Sequence, residues 1–117
     1  MAKPLFDATT THHGNLAELC PVVAGAIVSK PLIDTGALKE ILFAMDAGQE
    51  ISEHRSPFLA TVHVLTGRLR MIVSGTAHVL EANSWLSMPP DAPHALLAEL
   101  PTRFLLTMVR ITDQALS

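Results

Sequence analysis

The sequence predicts a small all-β domain, a sandwich or barrel of short strands. Short apolar runs recur through its second half, each closed by glycine, proline or asparagine. Within one run, Leu69, Met71 and Val73 alternate with Arg68, Arg70 and Ile72, the period of a half-buried strand. Hydrophobic residues make up 49% of the 117-residue chain and charged residues 16%, enough apolar material for one core or for a core plus an oligomer contact. A single domain over residues 16–117 is expected, behind an N-terminal arm of residues 1–15.

The arm carries Thr9-Thr10-Thr11-His12-His13-Gly14, polar and without hydrophobic period, and is expected to be flexible. Asn15-Leu16-Ala17-Glu18 has the cap pattern of one short helical turn. Val22 to Val28 reads as a β-branched strand that Pro31 either ends or marks as an edge. Asp34-Thr35-Gly36 reads as a turn. Residues 37–45 are ambiguous. Leu38, Ile41, Leu42 and Met45 recur at helical spacing, whereas Lys39, Ile41, Phe43 and Met45 make one face of a strand. After the turn at Asp46-Ala47-Gly48 come runs at Phe58–Leu65, Arg68–Val73, Thr76–Leu80, Trp85–Met88, Ala95–Leu100 and Arg103–Ile111. At most one or two helical turns are expected in all.

Several function classes are disfavoured at this point. The net charge is −3 and the eight Lys and Arg are scattered, which argues against a nucleic-acid surface. The N-terminus has no apolar core of a secretory signal, and the longest apolar run, Pro21–Val28, is too short to span a bilayer. The lone Cys20 cannot form an internal disulfide, which fits a reducing cytoplasm, and it reads as a core residue.

Two motifs give the chain a resemblance. Gly48 is followed after five residues by His54, and Gly67 closes the stretch; Pro89 and His94 mark a second stretch, in the form Pro89-Pro90-Asp91-Ala92-Pro93-His94. This pair resembles the two motifs of the cupin superfamily, specifically the small single-domain RmlC-like cupins. The resemblance covers residues 22–111 and implies a jelly-roll β-barrel, or double-stranded β-helix. Ser56 stands where the first motif's second His belongs and Ala60 where its Glu belongs. In the second motif Asn83, Asp91 and Ala98 occupy other positions of the pattern. The stretch His54-Arg55-Ser56-Pro57 further resembles stand-alone bacterial cupins in which His-x-(Ala/Ser)-Pro replaces His-x-His. The resemblance also implies a homodimer, since small cupins commonly pair through their outer sheets.

A full cupin site holds Fe, Mn, Ni or Zn with three His and one Glu. Here two of those ligands are present, so the metal candidates are His54 and His94 alone, with Zn, Ni or Fe as the divalent ions to consider. His63 is expected on an outer face, opposite Ala60, Val62 and Val64; Glu53 is expected to face outward, and the side of His78 is open. A bulge would overturn such assignments. Imidazole titrates near neutrality, so either histidine suits general-base work, but the tyrosine acid of cupin-like sugar epimerases has no counterpart in a chain without tyrosine.

The candidate ligand-binding residues are His54, Ser56, Phe58, Val62, Met71, Met88 and His94, with Val64, Leu69, Leu97, Leu105 and Met108 also expected inside. An apolar cup with two imidazoles suits a small, partly apolar molecule bearing one or two acceptors. Trp85 is expected at the mouth or against a partner subunit. Three roles stand open: a ligand-binding cupin, a metal-dependent dioxygenase- or isomerase-like enzyme, and a structural dimerisation module.

Overall fold

A computed structural model describes residues 3–111. The predicted all-β class is what it shows: two antiparallel sheets packed face to face, with one helical turn. That turn, α1, spans Leu16–Leu19, and its cap is the one the sequence announced, with the Asn15 carboxamide oxygen accepting from the N–H groups of Ala17 and Glu18. The strands are β1 Ile27–Asp34, β2 Leu38–Met45, β3 Glu50–His54, β4 Leu59–Thr66, β5 Arg68–Val73, β6 Thr76–Glu81, β7 Trp85–Met88, β8 His94–Ala98 and β9 Thr102–Val109. One sheet has the order β1-β2-β9-β4-β7 and the other β3-β8-β5-β6.

Of residues 37–45, all but Ala37 form strand β2. Their helix-like pattern arises because β2 is buried on both faces, so apolar residues occupy both parities. Phe43 and Met45 face the space between the sheets, while Leu42 and Ala44 lie in a second cluster with Cys20 and Leu32. Phe6, Leu16, Leu19 and Val22 close that second cluster from outside. The segment read as an arm runs along β1, where the N–H groups of Leu5 and Phe6 donate to the carbonyls of Pro31 and Leu32 at 2.9 Å each.

The first strand lies later than expected, starting at Ile27 and passing through Pro31. Pro31 is tolerated because β1 ends the ladder of its sheet and its register with β2 shifts between Pro31 and Ile33. Strand β3 lies outside the expected runs, although the outward facing expected for Glu53 already treats the stretch as extended.

The inner face of the larger sheet is built of cross-strand rows. Phe43 pairs with Phe104, which pairs with Val64; Ile41 pairs with Leu106, which pairs with Val62; Lys39 pairs with Met108, which pairs with Ala60 and then Met88. Leu105 therefore faces away, into the second cluster, contrary to the sequence expectation. Leu97 is likewise outward, because β8 begins at His94 and alternation then turns His94, Leu96 and Ala98 inward.

Candidate functional site

His54 and His94, forty residues apart in sequence, are direct cross-strand partners on β3 and β8. Their ring centroids are 4.1 Å apart with an interplanar angle of 63°. His94 is 8% exposed, while His54 sits at the open side.

The convergence depends on a bulge. Between the pairs Ile51–Leu96 and His54–His94, β3 uses one residue more than β8. Regular alternation would put Ile51 and His54 on opposite faces; the extra residue brings both to the same cavity, and Glu53 remains exposed.

The Nδ1 of His54 is 2.8 Å from the Ser52 carbonyl oxygen, and that of His94 is 2.9 Å from the Ala92 carbonyl oxygen. A carbonyl can only accept, so each Nδ1 carries the proton and donates. In the neutral ring this leaves Nε2 as a lone-pair acceptor. The sequence reading matched these imidazoles to a ligand bearing acceptors; the hydrogen bonding instead equips the neutral pair for a donor.

The two rings share a cavity of about 200 Å³. Val62, Met71 and Met88, all expected from the sequence, line it, together with Phe43, Ile51, Leu96, Phe104 and Leu106, which were not. Phe43 and Phe104 stack in parallel at 4.8 Å between centroids. Apart from the histidines every lining side chain is apolar. Ser56 and Phe58 are not among the lining residues. The Ser56 hydroxyl oxygen accepts from the Phe58 N–H at 3.2 Å and its carbonyl accepts from the Asp91 N–H at 2.7 Å, so it holds two loops together. Phe58 is buried one rung further out, its ring flanked by Lys39 Nζ at 5.2 Å and Arg110 Cζ at 5.1 Å.

The other histidines lie elsewhere. His63 is on the outer face, its Nε2 2.9 Å from Asn83 Oδ1 and its strand partner the exposed Trp85. His78 pairs with Met71 at the exposed edge strand β6. Among the described residues no three His, Cys, Asp or Glu side chains are grouped to hold an ion. Ala60 does face inward, at the position of the family's carboxylate, but presents only a methyl. The donors present are thus two imidazoles, which does not fit a three-His-and-one-Glu metal site.

The family model for the cupin domain matches residues 41–109. The chain belongs to the cupin family. A conserved Streptococcus pyogenes protein of unknown function matches this cupin with a TM-score of 0.83 at 24% identity, over 96% of this chain and 98% of that one. A cupin 2 conserved barrel domain protein from Leptotrichia buccalis is 31% identical with a TM-score of 0.79, over 82% of this chain but 47% of that one. A putative mannose-6-phosphate isomerase from Ralstonia eutropha is 25% identical with a TM-score of 0.75, over 86% of this chain and all of that one. No protein of curated function matches. Among the described residues no helix is long and apolar enough to cross a membrane.

Proposed function

We propose that this cupin binds a small, largely apolar molecule that presents a hydrogen-bond donor to the His54/His94 pair. The observation that carries this reading is the pair itself: two imidazoles in contact on the wall of an otherwise apolar cavity of about 200 Å³. With both Nδ1 protons given to carbonyls, the Nε2 atoms are the acceptors the pair can offer to a hydroxyl or similar donor. A hexose phosphate fits poorly, since most of its hydroxyls would meet Val62, Met71, Met88 and Leu96. The role is set in a reducing compartment such as the cytoplasm, where the buried free Cys20 stays a thiol.

Phenol is a suitable probe, with isothermal titration and histidine proton NMR on protein purified without a nickel column. Phenol is expected to shift both histidine ring signals, and His94→Ala to weaken binding at least about tenfold by removing one charge-free hydrogen bond and opening the wall. Unshifted signals at saturating phenol would sink the reading. The same sample decides the second one. The fixed Nδ1–H tautomer also suits metal ligation through Nε2, so near-stoichiometric metal lost in both His54→Ala and His94→Ala would favour a metal-dependent enzyme.

A further inference from the structure

We propose that the ligand of this cavity is an anion, and that Lys39 and Arg110 form a cationic rim that holds its acidic group. The inference rests on the cavity reading above and adds the ligand's charge class. Lys39 belongs to the inward row that runs through Met108 and Ala60 to Met88, and Met88 lines the cavity. The ammonium therefore rises from the inner face of the barrel, and its row is one step, about 7 Å along the strands, from the Leu106–Val62 row below. Arg110 lies one step further out. Its N–H donates to the Ala37 carbonyl at 2.8 Å, which extends the β2–β9 ladder past its last paired residue, and alternation from Met108 gives it the same facing.

Both cations converge on one ring. Lys39 Nζ and Arg110 Cζ stand 5.2 and 5.1 Å from the Phe58 centroid, and the ring is 9% exposed. Among the described residues neither cation is in an ion pair; the salt bridge there joins Arg68 and Glu99. Glu40, next to Lys39 in sequence, is on the opposite face and accepts from the Thr107 hydroxyl at 2.7 Å. Lys39 and Arg110 both stand against the Phe58 ring, and an anion bound beside them would gain charge-assisted hydrogen bonds from both. On the larger sheet the inward rows pass from Phe43 and Phe104 through Leu106 and Val62 to Met108, Ala60 and Met88. Lys39 lies in that last row and Arg110 one step beyond, while His54 and His94 line the cavity from the facing sheet. A molecule that follows this order has an apolar body, a donor group for the imidazoles and an acidic end: a small hydroxy acid.

Matched probes test this on the full chain. Mandelate and 3-phenyllactate, whose hydroxyl lies between the ring and the carboxylate, are titrated beside their uncharged amides, with phenyl phosphate to compare acid types. The acids are expected to bind about tenfold more tightly than the amides, an advantage that shrinks in high salt. K39Q/R110Q should erase the advantage while amide binding persists, and the charge-conserving K39R/R110K should keep it. Should the double variant fail to fold, K39Q and R110Q singly are each expected to lose about threefold of the acid preference. Phenyl phosphate binding above the carboxylates would assign the rim to phosphate esters and still support an anion site. Equal binding of acids and amides to the wild type, or a preference surviving K39Q/R110Q, overturns the rim and leaves the cavity reading standing. If no probe of either kind binds, both fall together.

Discussion

Gly67 shows how tightly single residues are constrained where the two sheets meet. It has φ +93°, and a Cβ there would strike the Pro101 carbonyl oxygen and Thr102. Thr102 cannot give way, because its hydroxyl is committed, accepting from the Arg68 N–H at 3.1 Å and donating to the Leu100 carbonyl at 2.7 Å. Gly67→Ala is expected to cost at least about 2 kcal/mol in chemical denaturation. Gly36→Ala, at φ +86° with open space around it, is expected to cost only the backbone term of about 1 kcal/mol. Asp46 makes a second prediction at this scale. Hydrogen bonds from the N–H groups of Gly25 and then Ala47 hold its carboxyl below the usual aspartate value. A depressed folded-state pKa contributes stability above the ordinary carboxylate pKa and loses it as pH falls through the lowered value. Asp46→Ala should therefore be less stable than wild type at neutral pH, with the gap narrowing in acid; a gap constant down to pH 2 would contradict this. Gly67, His54 and His94 were all legible as single residues, because motif spacing marks them. The inward turn of Ile51 and His54 together was not, since a bulge leaves no mark in an alternating pattern.

At the scale of elements, the strands whose facing alternation leaves open are those apolar on both parities, which β9 is because it is covered on both sides. Phe104-Leu105-Leu106 and Ala95-Leu96-Leu97 are apolar on both parities, so alternation could not say which set lines the cavity. Burial shows why. The N-terminal segment lies over the outer face of β2 and β9, and the Arg103 Nε donates to the Cys20 carbonyl at 3.0 Å, tying the cover to the sheet. By contrast β4 and β5 alternate cleanly and were placed within a residue or so. The cover makes its own predictions. Leu42 is fully buried outside the barrel, and Leu42→Ala should cost about 2–4 kcal/mol, as much as a substitution in the main core. Cys20 is sealed at 0% exposure, and burial pushes its thiol pKa up. Thiol reagents should therefore label it only as fast as the protein opens, so labelling kinetics in mild denaturant report the release of this segment. Rapid labelling of the native protein would show that the cover is loose.

For the whole molecule, the covered face of the larger sheet directs attention to the bare face of the smaller one. There Ile72 is 39% and Val79 51% exposed, beside a hollow of about 350 Å³ bordered by Glu50, Glu53, Arg70 and Leu97. The homodimer expected from the family resemblance would use this face. Ile72→Glu, at an exposed position, should leave the thermal midpoint nearly unchanged while shifting the mass measured by light scattering toward monomer. A wild-type monomer at high micromolar concentration would rule that assembly out.

The extra residue in β3 leaves the barrel a choice of one position. A strand that smoothed out the irregularity at its present length would swing the ring of His54 to the solvent side and bring the side chain of Glu53 indoors, exchanging an imidazole for a carboxyl group. A chain shortened by Ser52 would instead keep its imidazole where it stands, on a strand with nothing left to straighten. Length at this one spot, rather than the identity of any side chain, decides which chemical group the cup presents.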